Sequence, residues 1–394
     1  MSGRLLRSVC TAALAVLVAV PCAAPAGAEP TPREDGRTRG VSDLLTEMRT
    51  LYQRAEEATE AYNATEVKLT DQQAKAKRVG AGLTDARKAL VRSRAQAGRL
   101  ARQQYQGTSE LSAYVQLLLS DDPQHALDQK HLMDRAQSDR LSTVARLTNG
   151  ERRADALAAQ SQKALAEQRA LAAKQKKQRD TVRTKLTDVE KMLASLSTEQ
   201  IAAIAEREDA DTANAQKKLI TSGALGEAAD GTTGLGSSLR APSAKGGEAL
   251  AYAVEQIGKP YRWGAEGPES YDCSGLTSRA WTRAGVSVPR TSQEQWAELP
   301  RVKLSELRPG DLVVYFPKAT HVAMYLGDGQ VVHAPRPGAR VKVSPLASNP
   351  LLGAVRPDPD SEPLDVESYV PPRLPPGATD GADTGYNAQT GQGD

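Results

Sequence analysis

One cysteine and two histidines in the second half of the chain have the residue types and order of a nucleophile and its bases. Cys273 stands in Tyr-Asp-Cys-Ser-Gly-Leu, and His321 and His333 follow on apolar, strand-like runs. The other two cysteines, Cys10 and Cys22, lie in an N-terminal segment that we expect to be removed. A lone thiol in an exported protein is a leftover, an intermolecular cross-linker or a nucleophile. The two histidines favour the nucleophile.

The chemistry needs an ionised thiol, a base and a group that orients the base. Cys273 is placed where a helix is predicted to begin, so the helix dipole should lower the pKa of its thiol. His321 opens a predicted strand and can serve as the base. His333 lies on the next predicted strand, across an Asp-Gly turn at residues 328–329, and can hold the His321 ring in one tautomer.

The elements that must position these residues form a predicted α+β domain over residues 248–357. Helices are predicted at 248–257 and 273–284. Short β-rich runs follow at 312–316, 321–326, 330–333 and 341–343, divided by Gly and Pro, and they predict an antiparallel sheet.

Residues 41–220 have a different composition, rich in Ala, Gln, Arg, Lys, Glu and Leu, that predicts long helices. Asp122 and Pro123 are typical of a helix start, so we predict an antiparallel coiled-coil hairpin with a small helical head at residues 105–148. Leu117 and Leu118 belong to a leucine-rich cluster in this head, which either packs the head's own core or docks on a membrane partner. Two runs of apolar residues follow heptad spacing: Leu44, Met48, Leu51, Ala55, Ala58 and Tyr62, and then Val182, Leu186, Val189, Leu193 and Leu196.

The remaining segments set the compartment and the connections. Residues 1–28 are predicted to be a cleaved signal peptide, with an uncleaved membrane anchor as the alternative. Residues 221–247 are predicted to be a flexible linker, and 358–394 a disordered tail. The formal net charge of +3 over 394 residues gives no support for nucleic-acid binding.

The domain resembles the NlpC/P60 cysteine peptidases, which are papain-like enzymes that cut bacterial cell-wall peptides. The resemblance rests on a series of motifs in one order: 257–264 (IGKPYRWG), 272–276 (DCSGL), 289–292 (PRTS), 308–312 (RPGDL), 321–325 (HVAMY) and 333–334 (HA). It implies Cys273 as nucleophile, His321 as base and His333 as the third polar residue, with no metal or cofactor. It also implies that Tyr261 lines the cleft, that Asp272 and Ser274 contact the stem peptide, and that Arg290 meets a substrate carboxylate; a surface salt bridge is the alternative for Arg290.

These observations predict a secreted, wall-associated peptidoglycan endopeptidase that acts in wall remodelling or cell separation. The resemblance implies hydrolysis of the bond between D-glutamate and the following diamino acid, diaminopimelate. An amidase or acyltransferase on the same scaffold is one alternative, and a non-catalytic coiled-coil scaffold that binds the wall is another. We also predict that the helical arm restrains or positions the catalytic domain, and that the head docks on a membrane-embedded division complex.

Overall fold

The computed structural model describes residues 40–106, 115, 123–226 and 240–380. Two long helices form an arm: α1 (Val41–Gln106) and α2 (Pro123–Ala194). They run antiparallel, since Gln72 contacts Glu167 while Arg94, further along α1, contacts Glu151. None of the helices in the described ranges has both the length and the apolar character needed to cross a bilayer.

The arm contains a third helix, α3 (Thr198–Thr221), which the sequence analysis merged into the hairpin. α2 ends at Ala194, and Ser197 caps α3 by accepting the backbone N–H of Gln200, whose side chain accepts the N–H of Ser197 in return. This capping box satisfies two backbone donors and fixes a turn that heptad spacing cannot reveal. The three helices share one apolar cluster: Leu44, Leu45, Met48, Tyr52, Val189, Met192 and Ile204.

The C-terminal domain is α+β, as predicted. Its helices are α4 (Ala244–Glu255), α5 (Cys273–Arg283) and α6 (Ser292–Glu298). A short 3-10 helix covers Leu304–Glu306. Its strands are β1 (Arg301–Val302), β2 (Leu312–Tyr315), β3 (His321–Gly327), β4 (Gln330–His333), β5 (Lys342–Pro345) and β6 (Leu351–Val355).

The strands form one antiparallel sheet in the order β1-β6-β2-β3-β4-β5. The predicted turn joins β3 to β4, with φ of 51° at Asp328 and 66° at Gly329. Both values lie in the left-handed region that Asp and Gly accept most readily. One sheet face packs against α4 and α5, and the other is covered partly by Leu219 and Ile220 at the end of α3 and by Leu225 just beyond it.

The sequence analysis missed α6, β1 and β6. β6 contains Gly353, a residue that weakens strand propensity, and the strand is completed by its pairing with β2 across a register shift. α6 is a seven-residue helix capped by Thr291, too short for its periodicity to be visible. These elements depend on tertiary contacts more than on local sequence.

Residues 358–380 differ from the predicted disordered tail, because they lie against the domain. Arg308 binds the carboxylate of Asp358 at 2.7 Å, and the N–H of Val343 donates to the Ala378 carbonyl at 2.8 Å. The predicted signal peptide, Leu117 and Leu118, residues 227–239 of the predicted linker and residues 381–394 lie outside the described residues. The described ends of that linker differ from the prediction, since Leu225 is buried and the helix α4 already begins at Ala244.

Candidate active site

Cys273 is the first residue of α5, at the position predicted for it. The helix is capped by Asp272, whose Oδ1 accepts the backbone N–H of Gly275 at 2.6 Å. The cap satisfies a helix donor and leaves Cys273 at the positive end of the helix dipole. The backbone N–H of Val322 on β3 is near enough to the thiol to favour its ionised form, so the thiol lies beside the start of β3.

The two histidines meet across the β3–β4 hairpin. Nε2 of His321 is 2.9 Å from Nδ1 of His333, and Nε2 of His333 is 3.0 Å from Oγ of Ser344 on β5. Because Nε2 of His321 faces His333, Nδ1 is the nitrogen that can exchange a proton with a group in the cleft. Ser344 extends the predicted arrangement by one residue that the sequence analysis did not identify.

Asp272 and Arg290 form a buried ion pair beside the nucleophile. The Arg290 guanidinium donates to both carboxylate oxygens of Asp272, at 3.1 and 2.7 Å, and to Ser274 Oγ at 2.9 Å. It also binds Glu266 at 2.6 Å. The neighbouring carboxylates raise the pKa of Arg290 against the opposing effect of burial. Arg290 is thus held against Asp272 and Ser274 inside the site, and its pair with Glu266, whose side chain is 59% exposed, lies at the surface.

Tyr261 lies in the same site and is buried. Burial is the main cause that raises the pKa of its phenol, and the negative charge that Cys273 can carry is the second. The hydroxyl therefore stays protonated and can donate a hydrogen bond in the cleft.

The arm enters this site. α1 inserts Glu60, whose Oε1 accepts a hydrogen bond from Ser274 Oγ at 2.8 Å and whose Oε2 accepts the backbone N–H of Ser292 at 3.1 Å. Glu60 Oε1 is also 3.8 Å from the Cys273 sulfur. Cys273 is 2% exposed and His321 is 1% exposed. A peptide cannot reach the sulfur in this arrangement.

Other side chains of the arm extend the contact along the cleft. Glu56 Oε1 lies 3.5 Å from Nδ1 of His321, and the Asn63 amide donates to Asp272 at 3.1 Å. Three more pairs hold the arm on the domain: Tyr62 on Trp263 with ring centroids 5.0 Å apart, Glu57 with Lys318 at 3.1 Å, and Glu208 of α3 with Arg336 at 2.9 Å.

The contact reverses the predicted electrostatics of the thiol. The sequence predicts a lowered pKa for Cys273, but in this arrangement its pKa is raised well above the usual value. Burial is the first cause, followed by the charges of Glu60, Asp272 and Glu56. Burial and the charge of Asp272 also raise the pKa of Glu60 to about 8. Two of the carboxyl groups whose charge disfavours the thiolate belong to the arm, which also covers the sulfur.

The structure thus brings together all seven residues predicted for the site: Tyr261, Asp272, Cys273, Ser274, Arg290, His321 and His333. The sequence analysis missed Ser344 and the arm residues. A signal for the latter existed, because the polar residues Glu56, Glu60 and Asn63 follow a 4-3 spacing beside the apolar seam. Among the described residues, no group of three His, Cys, Asp or Glu side chains is arranged to hold a metal ion.

Comparison with known protein families matches the C-terminal domain. The model of the NlpC/P60 family matches residues 258–353. A protein named probable endopeptidase from Corynebacterium glutamicum is 45% identical over 117 residues, which are 29% of this chain and 56% of the relative. One of the same name from Mycobacterium tuberculosis is 39% identical over 119 residues, 29% of this chain and 31% of the relative. The match therefore spans about half or less of these relatives.

A solved structure gives a similar match. The NlpC/p60 domain of the peptidoglycan hydrolase SagA is 33% identical, and the alignment covers 28% of this chain and 97% of that one with a TM-score of 0.27. The family match agrees with the resemblance inferred from the motifs. The C-terminal region of the chain, residues 258–353, belongs to the NlpC/P60 family.

Proposed function

We propose that the protein is a cysteine peptidase that hydrolyses amide bonds in the stem peptides of peptidoglycan. One observation carries the proposal: the Cys273 thiol lies at a helix N-terminus beside a His321–His333 pair joined at 2.9 Å. This is the arrangement of nucleophile, base and orienting group that covalent catalysis requires. The relatives named probable endopeptidases support the same reaction class.

In the proposed reaction, the Cys273 thiolate attacks the carbonyl carbon of the scissile amide. Backbone N–H groups at the start of α5 and the Tyr261 hydroxyl stabilise the resulting oxyanion. The protonated His321 ring gives its proton to the leaving nitrogen as the C–N bond breaks, which leaves a thioester. His321 then removes a proton from water, the hydroxide attacks the thioester, and the thiolate departs from a new carboxylate.

The position of Glu60 supports D-glutamate as the residue on the acyl side. The cleft holds the carboxyl group of Glu60 between Ser274 Oγ and the Ser292 N–H, with one oxygen 3.8 Å from the sulfur. D-glutamate linked through its γ-carboxyl keeps a free α-carboxylate near the scissile carbonyl. A γ-D-glutamyl substrate could therefore place that group where Glu60 lies, and the bond cut would be the one to the following diamino acid.

Mass spectrometry of muropeptide digests tests the reaction. We define the opened chain as the full chain carrying Glu60→Ala and Asn63→Ala, which removes the arm contacts to Ser274, Ser292 and Asp272. The opened chain should release fragments cut after D-glutamate, and the same chain with Cys273→Ala should release none. Intact stem peptides freed from glycan would show an amidase instead. Full complementation of a deletion strain by Cys273→Ala would show a non-catalytic scaffold.

We further infer that α1 holds the peptidase inactive until the arm is released, since Glu60 and Glu56 occupy the positions that substrate must take. The opened chain should then hydrolyse muropeptides faster than the unsubstituted chain. Equal rates would contradict autoinhibition.

We also propose that the protein is secreted and that a partner releases the arm. Residues 1–28 would export the protein to the wall, which N-terminal sequencing of the secreted form would test. Residues 105–148 would dock on a membrane-embedded division complex, although 123–148 form the start of the continuous helix α2 and not part of the separate small head that the sequence predicts. A pull-down unchanged by charged substitutions at Leu117 and Leu118 would argue against that surface.

A further inference from the structure

Helix α1 lies along the cleft, so the order of its contacts gives the direction in which the cleft runs. Four side chains of α1 contact the domain in sequence order: Tyr52 at Arg336, Glu56 at His321, Glu60 at Ser274 and Asn63 at Asp272. A helix rises 1.5 Å per residue, so neighbouring contacts in this series are about 5 to 6 Å apart along the axis. The cleft therefore has Asp272 and Ser274 at one end, the catalytic histidine in the middle and Arg336 about one helical turn beyond it.

Arg336 is held at its end of the cleft by acidic and aromatic groups of the arm. Its Nη2 donates to both carboxylate oxygens of Glu208, at 2.9 and 3.2 Å, and its guanidinium lies 4.5 Å from the centroid of the Tyr52 ring. The charge of Arg336 also acts on Glu56, where it opposes the rise in pKa that burial causes. The Glu208 carboxylate on α3 thus occupies the position at this guanidinium that the carboxylate of a ligand could take.

There is room for a ligand beside Arg336. A cavity of about 1040 Å³ lies between the arm and the domain and reaches Glu56, the arm residue at His321. The domain side of the cavity is formed by the loops after β2, β4 and β5, and Arg336 lies in the second of these loops. Separation of the arm would join this space to the cleft and expose the guanidinium to it.

If the proposed function is right, the two ends of the cleft bind different parts of the substrate. The Ser274 end takes the acyl part of the substrate, so Arg336 faces the leaving part, beyond the scissile bond. The first leaving residue is a diamino acid. In meso-diaminopimelate the side chain ends in a carboxylate, whereas the side chain of lysine ends in an amine alone. A guanidinium binds the first and repels the second.

We propose that Arg336 is a specificity-determining residue that binds the side-chain carboxylate of diaminopimelate on the leaving side of the cleft. In the closed arrangement Glu208 takes the place of that carboxylate. The proposal rests on the proposed function for the identity of the substrate, and it adds the residue that selects the diamino acid.

Two tripeptides separate the possibilities: L-Ala-γ-D-Glu-meso-diaminopimelate and L-Ala-γ-D-Glu-L-Lys. Binding is measured by calorimetry on the opened chain with Cys273→Ala, so that nothing is hydrolysed. The diaminopimelate peptide should bind roughly 10- to 100-fold more tightly, as expected for one charge-assisted bidentate contact. Arg336→Gln should remove most of this difference and Arg336→Lys should retain part of it. Arg340→Gln, an exposed arginine in the same loop, should leave it unchanged.

Equal affinity for the two peptides, binding of neither, or an equal loss for both in Arg336→Gln would overturn the proposal. The same variants with Cys273 intact then test the reaction itself. Discrimination in binding without any hydrolysis would refute the peptidase and leave the role of Arg336 standing. Hydrolysis of both peptides at equal kcat/KM would support the peptidase and refute the role of Arg336.

Discussion

Glu60→Ala should open the cleft, and the chemical reactivity of Cys273 reports it directly. At pH 6 the carboxyl of Glu60 is largely protonated in the closed form, because its pKa is raised to about 8. The substitution then removes two hydrogen bonds to a neutral group, from Ser274 Oγ and from the Ser292 N–H. At about 1 kcal/mol each, closure weakens by about 2 kcal/mol, or roughly 30-fold in the fraction of open molecules.

The assay is the rate of alkylation of Cys273, followed by mass spectrometry of the peptide that contains it. A thiol that is 2% exposed reacts only in open molecules, so its rate follows the opening equilibrium. We expect Glu60→Ala to react roughly 30-fold faster than the unsubstituted chain at pH 6. Asp71→Ala, an exposed carboxylate on the same helix, is the matched control and should react at the original rate. Equal rates for the two variants would refute the reasoning.

The pH dependence gives an independent check with a definite sign. The pKa of Glu60 is raised on closure from 4.5 to about 8, so closure takes up a proton. Its contribution to closure is therefore fully present below pH 4.5 and is lost as the pH rises through about 8. After division by the rate of the opened chain, which corrects for thiol ionisation, alkylation of the unsubstituted chain should accelerate over this window. Glu60→Gln should flatten the rise but not abolish it, since the pKa of Glu56 is raised in the same direction. A rate that falls with pH would contradict the assignment.

Three further substitutions test the site and its scaffold in the opened chain. His333→Ala should lower kcat by ~100-fold or more through loss of the group that orients the base, measured on muropeptides with Cys273→Ala as the blank. Ser344→Ala should lower kcat only by roughly 3- to 10-fold, because it removes one hydrogen bond of about 1 kcal/mol. It should also shift the acid limb of the pH profile of kcat. An unchanged profile would mean that Ser344 has only a structural role. Gly275→Ala should lower the free energy of unfolding by at least about 2 kcal/mol, because its Cβ would collide with the Ala265 carbonyl oxygen; a thermal midpoint equal to that of the parent chain would contradict this packing.

The C-terminal domain was predictable where its signals are local. Cys273 begins a helix behind an Asp cap, and Asp328-Gly329 joins two β-rich runs that carry the histidines; each signal spans fewer than about ten residues, the range over which propensity and turn chemistry act. The order of these elements then brings the three side chains together. Ser344 was missed because nothing in the local sequence of β5 distinguishes it from any other strand serine.

The docking of the arm could not be predicted in the same way. Glu60 and Ser274 are separated by 214 residues, and no propensity or periodicity relates them. Heptad spacing identified the seam on one side of α1, but it gives no information about what a second, polar stripe contacts. The packing of residues 358–380 against the domain was missed for the same reason, since Arg308 and Asp358 form their ion pair across 50 residues.

The chemistry of the arm contact explains how closure can be firm and still reversible. An apolar plug over Cys273 would gain roughly 25 cal/mol per Å² of buried surface and would be hard to displace. The arm instead buries Glu56 and Glu60, whose raised pKa values show that the closed form disfavours their charge. The hydrogen bonds that specify the fit are thus offset by the cost of burying carboxylates beside Asp272. The polar contacts thus set the fit of the arm, and the cost of burying its carboxyl groups limits how strongly they hold it.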